Sequence, residues 1–293
     1  MQTVEYRTGR WKKPCVLLLG YFDGVHVGHR ALIAKAKKTA AEHGWTVGIM
    51  TFYDSKRGGQ IFLFAERVRI FEDLGLDFVY AAPFDEAFRS TSWQEFLDHT
   101  LQNISVRAFV CGEDFTFGKD AVGDVQKLRE YSDLNNIEVF VEKLIGFDGE
   151  KAAATKAKRY LDEGEMEKLC ALLGERYFIC GQVSTEGRHV GRQIGFPTAN
   201  LHINGEKYPL KRGVYAVRAR LDGKEYRGIA NYGARPTFGD ERVVLEIYFD
   251  GYRGDLYGKE LKVEFDFFLR DIRKFDNAEE LSAQLNRDLE RIR

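Results

Sequence analysis

Short continuous apolar runs alternate with helical periodicity through the first half of the chain. A two-residue alternation takes over in the second half. Residues 15–19, Cys-Val-Leu-Leu-Leu, read as a buried strand. Residues 30–43 read as a helix, with Leu32, Ile33, Ala36 and Ala40 on one face and Gly44 at its end. Further strands are predicted at 45–52, 78–81, 108–111 and 137–141. Helices are predicted at 65–74, with Gly75 as C-cap, and at 125–134. Another opens at the Ser92-Trp93-Gln94-Glu95 capping box and runs to about Ile104. Strands alternating with helices predict a parallel sheet covered by helices on both faces, a Rossmann-like α/β domain.

Residues 155–173 read as one or two short helices broken at Gly164 and ended by Gly174. The period changes after them, so the expected domains are 1–164 and 165–293. Strands are expected at 177–184, 213–221, 226–231, 243–249 and 261–269, with Asp222-Gly223 as a hairpin turn. Residues 278–293 form an amphipathic helix with Leu281, Leu285, Leu289 and Ile292 on one side. Asn277 is its N-cap and Glu280 sits at N3. The second half is therefore a small antiparallel β-barrel with a C-terminal helix, giving α/β followed by β.

A length of 293 residues accommodates two domains, and 44% hydrophobic with 30% charged residues is ordinary for a protein with a real core. Formal net charge is −1. Before Gly164 there are 22 Lys+Arg against 24 Asp+Glu; subtraction from the totals of 44 and 45 leaves 22 against 21. Neither half is basic, which argues against nucleic acid as a partner. Cys15, Cys111, Cys170 and Cys180 are scattered, as expected of buried thiols in a reducing cytoplasm. No signal-peptide-like segment opens the chain and no apolar run approaches membrane-spanning length. Nothing implies an obligate protein partner.

Chemistry concentrates in the loops that follow strands. Gly20-Tyr21-Phe22-Asp23-Gly24-Val25-His26-Val27-Gly28-His29 lies where the first apolar run turns into a helix. A helix start offers unpaired N–H groups and partial positive charge to phosphate. Gly24 and Gly28 permit close approach of a ligand. His26 and His29 are then donors for a phosphoryl or nucleotidyl transfer. The plainer alternative is that the two histidines only cap the helix. A metal site is disfavoured, because no further ligand cluster lies nearby in sequence. Gly112-Glu113-Asp114-Phe115-Thr116-Phe117-Gly118 follows another strand of the same sheet, so both loops open into one crevice, with Asp114 as a candidate nucleotide contact. A turn with two tucked aromatics is the alternative.

In the second half, Gly187-Arg188-His189-Val190-Gly191-Arg192-Gln193-Ile194-Gly195-Phe196-Pro197-Thr198-Ala199-Asn200 is rich in glycine and arginine, which suits phosphate. The Thr198 hydroxyl and Asn200 amide oxygen are hard donors suited to Mg²⁺. A surface loop ended by an Asx-turn remains the alternative.

Taken together, these motifs resemble the bacterial bifunctional riboflavin kinase/FAD synthetase (FMN adenylyltransferase) family. The first two loops resemble its His-x-Gly-His nucleotidyltransferase module. Gly195-Phe196-Pro197-Thr198-Ala199-Asn200 resembles its kinase signature. Arg212-Gly213-Val214-Tyr215, Asn231-Tyr232-Gly233-Ala234-Arg235-Pro236-Thr237-Phe238, Leu245-Glu246-Ile247-Tyr248, Asp255-Leu256-Tyr257-Gly258 and Phe268-Leu269-Arg270-Asp271 follow in the family's order.

The resemblance implies phosphorylation of riboflavin to FMN in the barrel and transfer of AMP from ATP to FMN in the N-terminal module. By the resemblance, Glu246 is the base for the riboflavin 5′-hydroxyl, and Thr198 and Asn200 hold Mg²⁺. Gly191, Arg192 and Gly195 line the ATP phosphates, and Arg270 to Phe275 close over the flavin. His26, His29, Gly20, Phe22, Asp23, Gly24, Gly28 and Asp114 meet the second nucleotide. Two stretches depart from the family's pattern. Thr51-Phe52-Tyr53-Asp54-Ser55-Lys56 lacks its Pro-His-Pro. Ala153-Ala154-Thr155-Lys156-Ala157-Lys158 stands where a Ser-Ser-Thr-x-Ile-Arg-like motif closes the module, leaving Thr155 and Lys158 as its nucleotide contacts. Three readings are therefore carried forward: a bifunctional enzyme, a riboflavin kinase with a weak or silent adenylyltransferase module, and a non-catalytic flavin- or nucleotide-binding regulator.

Overall fold

A computed structural model describes residues 1–54, 58–184, 198–235 and 240–293. The chain divides into two compact units, Met1–Ala154 and Thr155–Arg293. Gly164, the boundary expected from sequence, lies between two helices of the second unit, α6 (Ala154–Glu163) and α7 (Met166–Leu173).

The first unit carries β1 (Gln2–Glu5), β2 (Trp11–Leu19), β3 (Thr46–Phe52), β4 (Phe78–Ala82), β5 (Ile104–Gly112) and β6 (Glu138–Glu142). They form one parallel sheet in the order β1-β4-β3-β2-β5-β6. Helices α1 (Val27–His43), α2 (Phe64–Asp73), α3 (Glu86–Arg89), α4 (Trp93–Asn103) and α5 (Val125–Leu134) connect the strands. Central β2 shows why the sequence folds this way: Cys15 to Leu19 are all at most 1% exposed, so both faces must be apolar. Cys15, Leu17 and Leu19 join Met50, Phe78 and Tyr80 in one core, and α1 packs against β2, β3 and β5.

Periodicity overlooks the edge strand β1, because its pattern of exposed, exposed, buried, exposed leaves Val4 as its one buried position. It also overlooks the two-residue strands of the hairpin β7 (Gly146–Phe147) and β8 (Glu150–Lys151), which bury nothing fully.

The second unit carries β9 (Phe178–Gln182), β10 (Ala199–Leu201), β11 (Gly213–Leu221), β12 (Lys224–Arg235), β13 (Asp240–Phe249) and β14 (Glu260–Arg270), with helix α8 (Ala278–Ile292) at its end. The sheet is antiparallel, in the order β10-β13-β12-β11-β14-β9. A bridge between Val183 and Leu201, with Ser184 N–H donating to Asn200 O at 2.8 Å, brings its two edges together into a near-closed barrel. Leu289 and Ile292 of α8 pack against Val214, Ala216, Ile229 and Leu269 on the outside of the barrel. Asn277 caps α8 by accepting from the Glu280 N–H at 2.9 Å.

Candidate active site

In the first unit, β2 delivers the chain into a strained turn. Phe22 and Val25 have φ of 55° and 44°, a left-handed backbone that costs a β-branched valine most. Gly24, at φ 80°, completes the turn. Asp23 is buried, and its Oδ1 accepts from the N–H groups of Ile61 (2.9 Å) and Phe62 (3.4 Å). The carboxylate singled out as a nucleotide contact therefore anchors the turn to the segment before α2.

His26 is the N-cap of α1, and its Nδ1 accepts from the His29 N–H at 3.4 Å. The two imidazoles stack at 3.7 Å, with Phe22 4.8 Å from His29. A side chain at Gly28 would begin 3.1 Å from the His26 ring, so glycine keeps that ring in place. Burial, then the positive charge of Lys151, lowers His26 to about 4. Burial, then His26 itself, holds His29 well below the ordinary imidazole range, and His29 Nδ1 is buried with no hydrogen-bond partner among the described residues. Both rings are neutral at pH 7: they offer hydrogen bonds rather than charge.

These residues line a cavity of about 470 Å³, the size of a nucleotide or cofactor site. Gly20, Phe22, Gly28 and Asp114 share the lining, and Tyr21, Phe52, Phe84, Phe88, Phe96 and Phe117 give it an aromatic side. Phe115 and Phe117 stack at 5.3 Å. Asp114 and Lys151 form an ion pair at the cavity wall, and Ala153 and Ala154, which carry no side-chain polar group, also line it.

Sequence reasoning missed Lys151, whose one visible signal was a charge beside an apolar triplet. It also missed Arg67. This guanidinium is fully buried and donates to Tyr21 O (3.1 Å), Thr51 Oγ1 (2.5 Å), Phe52 O (2.7 Å) and Gln60 Oε1 (2.9 Å). It ties the ends of β2 and β3 together under the cavity. Thr155 and Lys158 belong to the second unit, where the Lys158 ammonium lies 4.8 Å from the Tyr208 ring centre.

In the second unit, a row of side chains crosses the barrel. Asn200 of β10 pairs in register with Glu246 of β13, which pairs with Asn231 of β12. Directly opposed residues share a face, so these three stand together. Leu245 and Ile247 on the other face are fully buried. The Thr198 hydroxyl donates to Glu246 Oε1 at 2.8 Å. Asn231 carried no signal in sequence beyond its motif.

Arg270, expected by resemblance to meet the flavin, is engaged by the C-terminal helix. Its Nε donates to Asp288 Oδ2 of α8 at 2.9 Å, and its Nη2 lies 2.8 Å from the same oxygen in an ion pair. Gln284 Nε2 satisfies Asp288 Oδ1 at 2.7 Å. Asp288 is the carboxylate that holds it, and the Phe275 ring lies 5.8 Å from the guanidinium. Gly191, Arg192 and Gly195 lie outside the described residues.

Comparison with known proteins agrees with this division. Residues 9–156 match the family model described as FAD synthetase, and residues 173–293 match that described as riboflavin kinase. The chain is similar to the bifunctional riboflavin kinase/FMN adenylyltransferase of Bacillus subtilis, at 35% identity over 93% of this chain and 90% of that one. The Escherichia coli enzyme of that name is 32% identical, over 94% and 90%. A solved structure titled macrolide-efflux protein, from Streptococcus pneumoniae, superposes with a TM-score of 0.89 at 29% identity, covering 99% of this chain and 98% of that one. Among the described residues, no helix is long and apolar enough to cross a membrane.

Proposed function

The chain belongs to the bifunctional riboflavin kinase/FMN adenylyltransferase family and converts riboflavin to FMN and FMN to FAD with ATP; on that premise we propose which residues carry each step.

The kinase step runs at the row Asn200, Glu246 and Asn231. The riboflavin 5′-hydroxyl oxygen attacks the γ-phosphorus of ATP, its proton passes to Glu246, and the bond to the ADP oxygen breaks. The contact between Thr198 and Glu246 carries this assignment, because it fixes the carboxylate beside a hydroxyl and an amide on neighbouring positions. A hydroxyl, an amide and a carboxylate gathered in one place are hard oxygen donors, a set that fits Mg²⁺. Thr198 and Asn200 would hold the ion, which supplies charge neutralisation on the ATP phosphates. Arg192 and the glycines beside it are proposed for the phosphate tail.

Adenylyl transfer runs in the cavity of the first unit. An FMN phosphate oxygen attacks the α-phosphorus of ATP, the new P–O–P bond forms, and pyrophosphate leaves. FMN phosphate is already a nucleophile, so the site has to position it and stabilise charge. Neutral His26 and His29 at the start of α1, together with its free N–H groups, do this without introducing a proton that must first be lost. A time course with riboflavin, ATP and Mg²⁺ tests both assignments: Glu246→Gln must block FMN while leaving FMN-to-FAD conversion, and His29→Ala must do the reverse.

A further inference from the structure

The aromatic side of the first unit's cavity is assembled from separate places in the sequence. Tyr21 follows β2, Phe52 ends β3, and Phe84 and Phe88 follow β4. Phe52 is the hub: its ring centre lies 5.8 Å from that of Tyr21, 5.0 Å from Phe84 and 5.1 Å from Phe88. Of the substrates, FMN brings the largest apolar plane, so these rings have most to offer its flavin. Such a wall binds well only if its rings are already in place, because ordering them on binding costs affinity.

Phe84 lies in the connection after β4, outside any strand or helix, so neither a ladder nor a helix sets its backbone. Asp54 does. Its Oδ2 accepts the Phe84 N–H at 3.1 Å, and its carbonyl oxygen accepts the Tyr21 hydroxyl at 2.6 Å. One residue thus ties the chain after β2 and the chain after β4 to the end of β3. Tyr53 beside it is held too: its N–H donates to Ala82 O at 3.0 Å, and its carbonyl accepts from Gln60 Nε2 at 3.2 Å. Asp54 stands at the first proline of the family's Pro-His-Pro. Proline stiffens a turn by locking φ. Aspartate has no such lock, and here hydrogen bonds supply the stiffness. Asp54 is exposed and is not one of the described residues lining the cavity, so it acts on a ligand only through the residues it holds.

We propose that Asp54 is a positioning residue for FMN in adenylyl transfer: it staples Phe84 and Tyr21 to the end of β3 and fixes the aromatic wall before the flavin arrives. This rests on reading the cavity as the adenylyl-transfer site. The two arms differ in kind. The main-chain carbonyl holds Tyr21, and the carboxylate holds Phe84, so each arm can be cut alone.

The test is FAD formation from FMN and ATP by the full chain, with FMN formation from riboflavin measured on the same preparations. Asp54→Ala is expected to lower kcat/KM for FMN by about three- to tenfold, with the KM for ATP, the unfolding temperature and FMN formation unchanged. Asp54→Asn keeps an oxygen acceptor for the Phe84 N–H and is expected to recover most of the loss. Tyr21→Phe keeps the ring, cuts the other arm and is expected to show the same selective loss. If Asp54→Ala stays within about twofold of the parent while Phe84→Ala lowers kcat/KM for FMN, the proposal is overturned and the cavity assignment stands. Equal losses toward ATP and FMN, or a loss that Asp54→Asn does not recover, also overturn it. If neither Phe84→Ala nor His29→Ala affects FAD formation, the cavity assignment itself falls.

Discussion

The Thr198 hydroxyl donates to Glu246 Oε1 at 2.8 Å across 48 residues of sequence. The contact joins the residue just before β10 to the middle of β13, and it aims one carboxylate oxygen of Glu246. Glu246→Gln preserves shape and removes the proposed base. FMN formation is expected to fall by about 10² to 10⁴-fold, with FAD formation from supplied FMN unaffected. Product chromatography from riboflavin, and separately from FMN, reads both numbers. Retained FMN formation would remove Glu246 from the chemistry.

Acid should loosen the first unit through its buried histidines. His26 has its folded-state value lowered to about 4 from 6.5, so the unfolded chain binds a proton that the folded protein refuses. Stability from this group is complete above pH 6.5 and is lost as pH falls toward 4, on the order of 3 kcal/mol in all. His26→Asn keeps an N-cap acceptor while removing the titration. Its unfolding temperature should therefore fall less than the parent's between pH 6.5 and 4. Parallel curves would contradict the assignment.

Arg67→Ala strands buried acceptors on Tyr21, Thr51, Phe52 and Gln60. The expected loss is about 3 kcal/mol or more, with FAD formation failing before FMN formation as temperature rises. A urea titration followed by both activities separates the two. Simultaneous loss, or none, would show that Arg67 does not specifically support the first unit.

Asp288→Ala leaves the Arg270 guanidinium unpaired against α8. Breaking a buried pair costs about 3–5 kcal/mol. The C-terminal helix should become protease-sensitive and FMN formation should weaken, and Arg270→Gln made together with Asp288→Asn should restore part of the protection. Limited proteolysis with and without the second substitution decides it.

Much of the fold was legible because each unit has a strong period. Residues 15–19 are apolar at every position, as a strand buried on both faces demands, and Asp222-Gly223 announces its hairpin in two letters. Two of the overlooked elements bury too little to leave a pattern: β1 contributes Val4, and β7–β8 contribute only partial cover, whereas β10 buries Ala199 and Leu201 but is only three residues long, too short to show a period. The site was legible as motifs, not as contacts. His26, His29, Thr198, Asn200 and Glu246 stand in recognisable strings. Arg67 sits in a helix where an exposed arginine would read identically, and its role depends on Thr51 and Gln60 folding back over it. Asp23 and Arg270 were legible as charges, but their partners, the Ile61 amide and Asp288, are 38 and 18 residues away.

The N-cap bond at His26 has one more consequence. Because Nδ1 accepts the His29 N–H, the ring proton must sit on Nε2, so a single tautomer is selected by the start of α1. An imidazole held this way presents a donor on its remaining nitrogen before any substrate arrives. The helix thus sets the protonation pattern of the ring as well as its position, and binding a phosphate there requires no proton to be moved around the ring first.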